Sequence, residues 1–471
     1  MRTPAPSGPC RHATTPGLVA PGGARPQETP AMADLSPAGP GLSTAQYAGR
    51  RLSEALLPLE LAPRAQLQLS AISRWNALRG IRVGLVAAAL LLMLIGANLV
   101  TPLYPTLQQR LGLTPLDTTI LFTVYVFALV PVLAAVGHWS DHLGRRALIL
   151  PAVALSAVGD AVFATADSFW QLAAGRAVQG IAVGLSTGAA GAALGDLLPD
   201  RPTLAAKLTL ACSAGGVALG PLVGAAMASG ANPLPGLFLA HAVALLALCV
   251  PLALVHPRMP GSVRPPASPP RVTTPAHLRP QRLRLPRSGR REFLLASGAG
   301  FVSYAVFGVY LALAPAFAGT LLHTESRMAG AAVAALLLGS SAAAQLLVPP
   351  TSDRVVVAAG LIGLAVGLGL LTAATATGTP ALLFIGSVVA GVSQGIAFRS
   401  LFTTTVAALD PARRGSALST LWVIVYLGSS APIIAVGALT RAYGLLPAVT
   451  AFALLAATAS LALAAAVLRR R

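Results

Sequence analysis

Long apolar runs alternate with short polar segments along most of the chain. Each run is about 20 residues long, the length that a helix needs to cross the roughly 30 Å hydrocarbon core of a bilayer. Because unpaired backbone polar groups are costly in lipid, we expect these runs to be helical. The pattern predicts twelve transmembrane helices, near 83–103, 117–136, 147–166, 169–190, 204–228, 235–255, 293–317, 327–348, 354–376, 380–402, 414–439 and 445–468.

The spacing of the runs divides the chain into two groups of six. Residues 256–291, between the groups, are polar and Pro-rich and contain nine arginines. We therefore predict four regions. Residues 1–80 form a disordered Pro/Ala/Gly-rich tail with a surface helix over residues 52–80. Residues 81–256 form the first six-helix bundle, 257–291 a basic cytoplasmic linker, and 292–471 the second bundle.

Two short motifs occur once in each half. Gln179–Ala182 reads QGIA in the fourth span, and Gln394–Ala397 repeats it in the tenth. SDH at 140–142 follows the second span, and SDR at 352–354 follows the eighth. The offsets, 215 and 212 residues, are nearly equal. They predict two pseudo-symmetric six-helix bundles in an all-α membrane protein, an architecture known among transporters.

Composition agrees with a membrane protein and sets its orientation. The chain is 55% hydrophobic and only 10% charged, against about 25% charged residues in soluble domains. Its net charge of +19 comes from arginines between the runs and at the ends, not from one basic face, so we predict no nucleic-acid partner. Basic loops favour the cytoplasm, which places both termini there. The Ala- and Arg-rich composition suggests a bacterial genome, and hence a location in a bacterial cell membrane.

The charged segment GHWSDHLGRR, residues 137–146, carries the main family signal. It resembles the signature loop of the major facilitator superfamily at five positions, Gly137, Asp141, Gly144, Arg145 and Arg146. The resemblance implies the major facilitator fold and alternating access by rocking of the two bundles. It also implies that the loop meets the eleventh helix, near Arg414, and acts in gating. The alternative is a basic turn that only sets topology.

A second motif lies in the fourth span, where Arg176, Gln179 and Gly180 resemble the fourth-helix motif of the same superfamily. An arginine inside a span costs at least ~2.5 kcal/mol on insertion scales, so it is usually functional and paired. Counted from the outer edge, Arg176, Asp160 and Asn98 lie about 8–10 Å deep. We expect them to form one buried cluster that couples a proton to movement; the alternative is a structural ion pair.

The fifth span contains a third motif. Gly216, Gly220, Pro221 and Gly224 resemble the antiporter motif of drug/proton exchangers, with Ala225 in place of its last glycine. Glycines four residues apart leave a smooth groove on one helix face, and the proline bends the helix. The motif favours export; the alternative is generic packing of small residues.

In this superfamily the first, fourth, seventh and tenth helices line the central cavity. The resemblance therefore points to candidate cavity residues on the seventh and tenth spans: Tyr304, Phe307, Tyr310, Gln394 and Phe398. An aromatic wall suits apolar or flat ligands. Packing is the alternative role for these side chains. His241 in the sixth span has no partner at metal-ligand spacing, and we expect it to be merely packed or solvated.

These motifs predict a secondary transporter, not an enzyme. There is no P-loop pattern to bind ATP, and we expect no cofactor and no metal. The predicted activity is proton-coupled efflux of small apolar or amphipathic compounds by a monomer in the bilayer. One alternative is an importer or exporter of a specific metabolite such as a sugar or amino acid, because the first span offers only Asn98 and no acidic residue. Another is a transporter-like sensor or a membrane-embedded enzyme.

Overall fold

The computed structural model describes residues 78–136, 139, 143–228, 233–255, 285–286, 289–410 and 414–469. These residues contain twelve helices that are long and apolar enough to cross a membrane, so the predicted number of spans is confirmed. In chain order the helices are α1 (Arg79–Leu111), α2 (Pro115–Val136), α3 (Arg145–Ala164), α4 (Phe169–Leu197), α5 (Pro202–Met227), α6 (Leu234–Leu254), α7 (Arg290–Leu322), α8 (Arg327–Leu347), α9 (Arg354–Thr377), α10 (Pro380–Ala408), α11 (Arg414–Tyr443) and α12 (Leu445–Leu468).

Some predicted features fall outside this range. The first 77 residues, most of the linker 257–291, and Gly137 and Asp141 of the charged loop are not among the described residues. The expectations for them stay predictions.

Several helices are longer than their apolar runs. The first run predicts a span over 83–103, but α1 extends from Arg79 to Leu111, with a 3₁₀ turn at Thr101–Leu103. The extra residues include the polar segment 108–110. Helical hydrogen bonds can continue beyond the hydrocarbon region, where polar side chains are tolerated, so hydropathy marks only the apolar part of each helix.

Short polar turns separate most neighbouring helices. Asp353 caps α9, since its Oδ1 accepts a hydrogen bond from the Val355 amide at 2.8 Å. Gly112 and Gly378 end α1 and α9 in the left-handed conformation that glycine adopts without strain. Such short connections make successive helices antiparallel. We call the end where α6 finishes and α7 begins the linker face, and the opposite end the distal face.

The two halves meet through α2 against α11 and α5 against α8. Phe122 and Val126 of α2 and Ala218 of α5 belong to the same buried apolar cluster as residues of the second half, such as Val309 and Ile433. The junction between the bundles is therefore largely apolar.

The repeated QGIA motif occupies equivalent places in the two bundles. A Cβ on Gly180 of α4 would collide with the Tyr125 carbonyl of α2, and one on Gly395 of α10 would lie 2.6 Å from the Ser341 carbonyl of α8. In both cases the glycine lets the fourth helix of a bundle pack against the second. The structure therefore shows the pseudo-symmetry that the sequence predicts.

Candidate transport site

Arg176 is the largest fully buried side chain among the described residues, and α4 carries it into the interior of the first bundle. Its Nη1 donates to the Ala97 carbonyl of α1 at 2.5 Å and to Gln179 Oε1 at 3.2 Å. Its Nη2 donates to the Tyr104 hydroxyl at 2.7 Å. The guanidinium carbon also lies 5.5 Å from the centre of the Tyr125 ring. Three helices thus hold one cation in place.

Gln179, one turn further along α4, links Arg176 to Asp160 of α3. Its amide oxygen accepts from Arg176, and its Nε2 donates to Asp160 Oδ1 at 3.0 Å. The helices come this close because Gly159 has no side chain; a Cβ there would lie 3.0 Å from Gln179 Cγ. The expected association of Asp160 with Arg176 is therefore indirect, through the glutamine.

The direct ionisable partner of Asp160 is His241 of α6. His241 Nδ1 lies 2.6 Å from Asp160 Oδ2, and His241 Nε2 lies 3.0 Å from the Leu92 carbonyl of α1. The expectation that this histidine is merely packed or solvated is wrong. Its partner lies 81 residues away in the chain, so local spacing gives no sign of it. The signal that could have found it is the occurrence of an ionisable residue within a span.

Asn98 does not join this cluster. Its Nδ2 donates to the Leu94 carbonyl of its own helix at 2.9 Å, and its Cβ faces Gly220 of α5. Depth along a helix can be counted from the sequence, but the direction of a side chain around the helix axis also decides its neighbours. Asn98 has the expected depth and a different direction.

The predicted antiporter motif packs α5 against α1. A Cβ on Gly216 would lie 2.8 Å from the Leu91 carbonyl, and one on Gly220 would lie 2.8 Å from the Ile95 carbonyl. Gly224 meets α1 in the same way one turn further on, at the Leu99 carbonyl, and Pro221 is buried between these glycines. The motif therefore gives α5 a face without side chains on which α1 rests.

Aromatic side chains form a surface in the second bundle at its junction with the first. The Tyr304 ring of α7 lies 5.6–6.1 Å from four other rings, those of Phe307, Phe398, Trp422 and Tyr426. We call these five residues the aromatic cluster. Four of them are only partly buried, Phe398 being the exception. Trp422 and Tyr426 lie on α11, which the resemblance did not list among the cavity helices.

Two of the predicted cavity residues point elsewhere. Tyr310 is 1% exposed, and its hydroxyl lies 3.2 Å from Ser387 Oγ of α10. It follows Tyr304 by six residues, a rotation of about 600°, so it faces about 120° away. Gln394 is also 1% exposed, and its Oε1 accepts from Ser341 Oγ of α8 at 2.5 Å.

Tyr125 and Tyr426 connect the two regions. Each packs against buried clusters of both bundles. Because Arg176 stacks over Tyr125 and Tyr304 contacts Tyr426, the buried cation and the aromatic cluster face the same junction.

The described part of the charged loop contacts its own bundle. Arg145 Nε donates to Asp196 Oδ2 at the end of α4 at 2.9 Å, and Arg146 Nη2 donates to the Ala253 carbonyl of α6 at 2.5 Å. Gly144, just before α3, has a φ of 95°, which favours glycine. The contact expected with α11 involves side chains outside the described residues and stays a prediction.

At the distal face the bundles are bridged directly. Arg327, at the start of α8, donates to Thr106 Oγ1 of α1 at 3.3 Å and to the Ala228 carbonyl after α5 at 3.4 Å. Gly437 of α11 packs against Leu116 and Thr119 of α2. The distal ends of the two halves are thus held together.

Two repeated six-helix bundles, with an ionisable cluster buried in one and an aromatic surface at the junction, define a polytopic membrane transporter. The chain belongs to the Major Facilitator Superfamily, whose family model matches residues 86–430. Its family and fold are those of transporters, not of enzymes.

Curated relatives match over part of their length. The bacillibactin exporter of Bacillus subtilis (strain 168) is 30% identical over 153 residues, 30% of this chain and 37% of that protein. The class E tetracycline resistance protein of Escherichia coli is 28% identical over 34% of this chain and 40% of that protein. The quinolone resistance protein NorA of Staphylococcus aureus (strain Mu50 / ATCC 700699) is 28% identical over 35% and 42%. The alignments thus span about two fifths of these relatives.

Solved structures share the fold over most of the chain. A bacterial homologue of the human lysosomal transporter Spinster, in an inward-facing and unoccupied conformation, has a TM-score of 0.66 at 17% identity. The match covers 83% of this chain and 98% of that chain. The human organic anion transporter MFSD10 (TETRAN) has a TM-score of 0.57 at 19% identity, covering 83% and 99%. At these identities the likeness shows the fold alone.

Proposed function

We propose that this transporter exports small apolar or amphipathic compounds in exchange for protons, by alternating access. One observation carries the proposal: Gln179 joins Asp160 to the buried cation of Arg176, and Arg176 stacks over Tyr125 at the junction that the aromatic cluster lines. A proton-sensitive group is therefore linked, through Gln179 and Arg176, to the interface that carries the ligand surface.

The electrostatics of the first bundle suit proton coupling. Loss of a proton from Asp160 places a negative charge on the far side of Gln179 from Arg176, and gain of a proton removes it. In a dry interior such a change is poorly screened, so it favours one arrangement of the helices over another. Gln179 transmits the change because it bonds to both residues.

The aromatic cluster suits flat or amphipathic ligands. Partly buried rings offer large apolar contact area and stack against planar molecules. The names of relatives agree with such compounds: a bacillibactin exporter, and resistance proteins for tetracycline and quinolones.

Export and gating draw on two further features. The glycine face of α5 resembles the antiporter motif and packs tightly on α1, which suits a helix that seals the interior against leak. The charged loop, with Gly137, Asp141 and Arg145, would fasten the bundles at the linker face when the distal face opens. We place the linker face and both termini in the cytoplasm of a bacterial cell, with a monomer in the cell membrane.

The second candidate is an importer or exporter of one metabolite, such as a sugar or amino acid. Asn98 favours it, because α1 has no acidic side chain and the Asn98 amide donates to the Leu94 carbonyl of its own helix. Transport of labelled sugars or amino acids into membrane vesicles, without transport of the drug probes, distinguishes it from the main proposal.

Transport into inside-out membrane vesicles tests the main proposal. Vesicles containing the full chain receive tetracycline, norfloxacin or ethidium, with an acid-inside pH gradient or with none. We expect accumulation of at least one probe that needs the gradient, collapses with a protonophore and is lost in Asp160→Asn. Accumulation that ignores the gradient, or transport of sugars or amino acids alone, would contradict proton-coupled export.

A further inference from the structure

The contact between Asp160 and His241 is the closest pairing of ionisable groups inside the described part of the membrane domain. The two side chains come from α3 and α6 and are 0% and 6% exposed. Their 2.6 Å separation is that of a strong, charge-assisted hydrogen bond. The pairing also joins two helices of the first bundle at a depth of about 10 Å, counting His241 from the start of α6.

The geometry fixes how many protons the pair holds. The Leu92 carbonyl can only accept a hydrogen bond, so His241 Nε2, 3.0 Å away, must carry a hydrogen. Nδ1 and Asp160 Oδ2 cannot both present lone pairs to each other at 2.6 Å, so one proton lies between them. With that proton the pair is neutral overall, as imidazolium with carboxylate or as imidazole with carboxylic acid.

We propose that Asp160 and His241 together form the proton-binding site of this transporter, and that release of the shared proton transfers the Asp160 carboxylate from His241 to Arg176. This inference rests on the proposed function. The proton leaves to water, and the pair changes from neutral to a charge of −1. Imidazole and carboxylate then repel each other through their lone pairs, while Arg176 attracts the carboxylate.

Arg176 can receive the carboxylate. Its Nε is buried and has no hydrogen-bond partner among the described residues, so one donor is available. Gln179 Nε2 already holds Asp160 Oδ1, which keeps the carboxylate next to the guanidinium. Loss of the proton would therefore weaken the contact between α3 and α6 and strengthen the contact between α3 and α4. That is a change in helix packing driven by one protonation event.

Few other ionisable groups face the pair. The ionisable group that α4 contributes is Arg176, and the neutral Gln179 lies beside it. From α1 the pair meets the Leu92 carbonyl and Gly96, and residues 83–103 contain no acidic or basic side chain. On α3 the basic Arg145 and Arg146 lie at the linker face, where they bond to Asp196 and to the Ala253 carbonyl. Helix α6 contains no Asp, Glu, Lys or Arg. The charge of Arg176 is therefore the main field acting on the pair.

Gly96 of α1 leaves room for the His241 imidazole because it has no side chain. A Cβ on Gly96 would collide with the His241 ring at Cε1 and lie 3.0 Å from Nδ1. Gly96→Ala therefore displaces the imidazole from Asp160 without removing any ionisable group. This makes Gly96 a positioning residue for the pair.

The second bundle supplies a matched control. Its third and sixth helices, α9 and α12, are also joined by a polar pair, Thr375 Oγ1 and Thr450 Oγ1 at 3.0 Å. This pair joins the corresponding helices and cannot change its charge. Thr375→Val thus removes a comparable interhelical hydrogen bond and leaves proton binding untouched.

The test measures conformation against pH without any transported compound. Spin labels go on the full chain at Arg201→Cys and Ser352→Cys, exposed positions at the linker face of the two halves, with the native cysteines replaced by serine. We expect the label-to-label distance distribution to shift with pH around one midpoint. Asp160→Asn and His241→Gln should abolish the shift, Gly96→Ala should move its midpoint by about one pH unit or more, and Thr375→Val should leave it unchanged.

Each outcome decides the inference. A His241→Gln protein that keeps the wild-type thermal stability and the wild-type midpoint would overturn it, as would an unchanged midpoint in Gly96→Ala. If His241→Gln fails to fold, the Gly96→Ala midpoint decides alone. Gradient-driven transport of tetracycline that survives in His241→Gln would overturn the inference and leave proton-coupled export standing. A pH shift that needs both residues, in a protein that moves none of the probes, would support the proton site and contradict drug export.

Discussion

The two bundles share one helix arrangement but differ in what they bury. In the first, α3 and α6 are joined by a carboxylate and an imidazole, and α4 carries a buried cation. In the second, the equivalent α9 and α12 are joined by two threonine hydroxyls, and Gln394 of α10 bonds to a serine. Burying ionisable groups in a membrane is costly, so their concentration in one half points to a function there. The second half instead contributes the aromatic cluster.

Substitution of Arg176 should reduce transport more than any other change in either bundle. Arg176→Ala leaves the Ala97 carbonyl, Gln179 and the Tyr104 hydroxyl without their shared donor, and removes the cation beside Asp160. We expect transport of tetracycline to fall to the level of vesicles without the protein. Arg399→Ala is the control in the second half, since Arg399 is partly exposed and its Nη1 donates to the Val348 carbonyl at 3.3 Å. Equal losses of transport in both variants would refute the assignment of a special function to the buried charges of the first bundle.

The glycine face of α5 should show the next largest effect. In Gly220→Val, the Cβ alone would lie 2.6 Å from Asn98 Cβ, so α1 and α5 must separate. Overpacking of this kind costs about 1–3 kcal/mol, and we expect a lower melting temperature together with loss of transport. Gly215→Val is the matched control, because nothing lies within 4 Å of its Cβ position. A Gly220→Val protein as stable and active as Gly215→Val would show that close packing here is dispensable.

The repeated glutamines, Gln179 and Gln394, should differ in their effect on proton coupling. Gln179→Leu cuts the link between Asp160 and Arg176, so we expect transport to drop about tenfold and its dependence on the pH gradient to flatten. Gln394→Leu loses the bond from Ser341, at a cost of about 1 kcal/mol in stability. Measurements of rate against pH for both variants distinguish the two. Similar pH profiles in the two variants would argue that neither glutamine takes part in coupling.

The aromatic cluster should give the smallest and most selective change. Tyr304→Ala removes the central ring of the cluster, so we expect KM for flat aromatic probes to rise several-fold. Tyr310→Phe loses only the hydroxyl contact with Ser387 and should leave KM unchanged. If Tyr310→Phe raises KM as much as Tyr304→Ala, the ligand surface extends further around α7 than the cluster defined above.

The helices could be predicted and the contacts of the site largely could not. Hydropathy fixes the number and order of spans because the bilayer demands apolar runs of a set length. The depths of Asp160, Arg176 and Asn98 follow from counting, but their neighbours depend on helix rotation. Thus Asn98 faces α5 instead of the cluster, and His241, a residue expected to be inert, bonds to Asp160. Tyr104 was missed because α1 continues past its apolar run.

The bridge that Arg327 makes to α1 and α5 has a practical consequence for inhibitor chemistry. In this conformation, with the distal ends joined and the linker side in the cytoplasm as proposed, a blocker would reach the aromatic cluster from inside the cell. Impermeant compounds that bind only this conformation would then fail on intact cells yet succeed on inverted membranes.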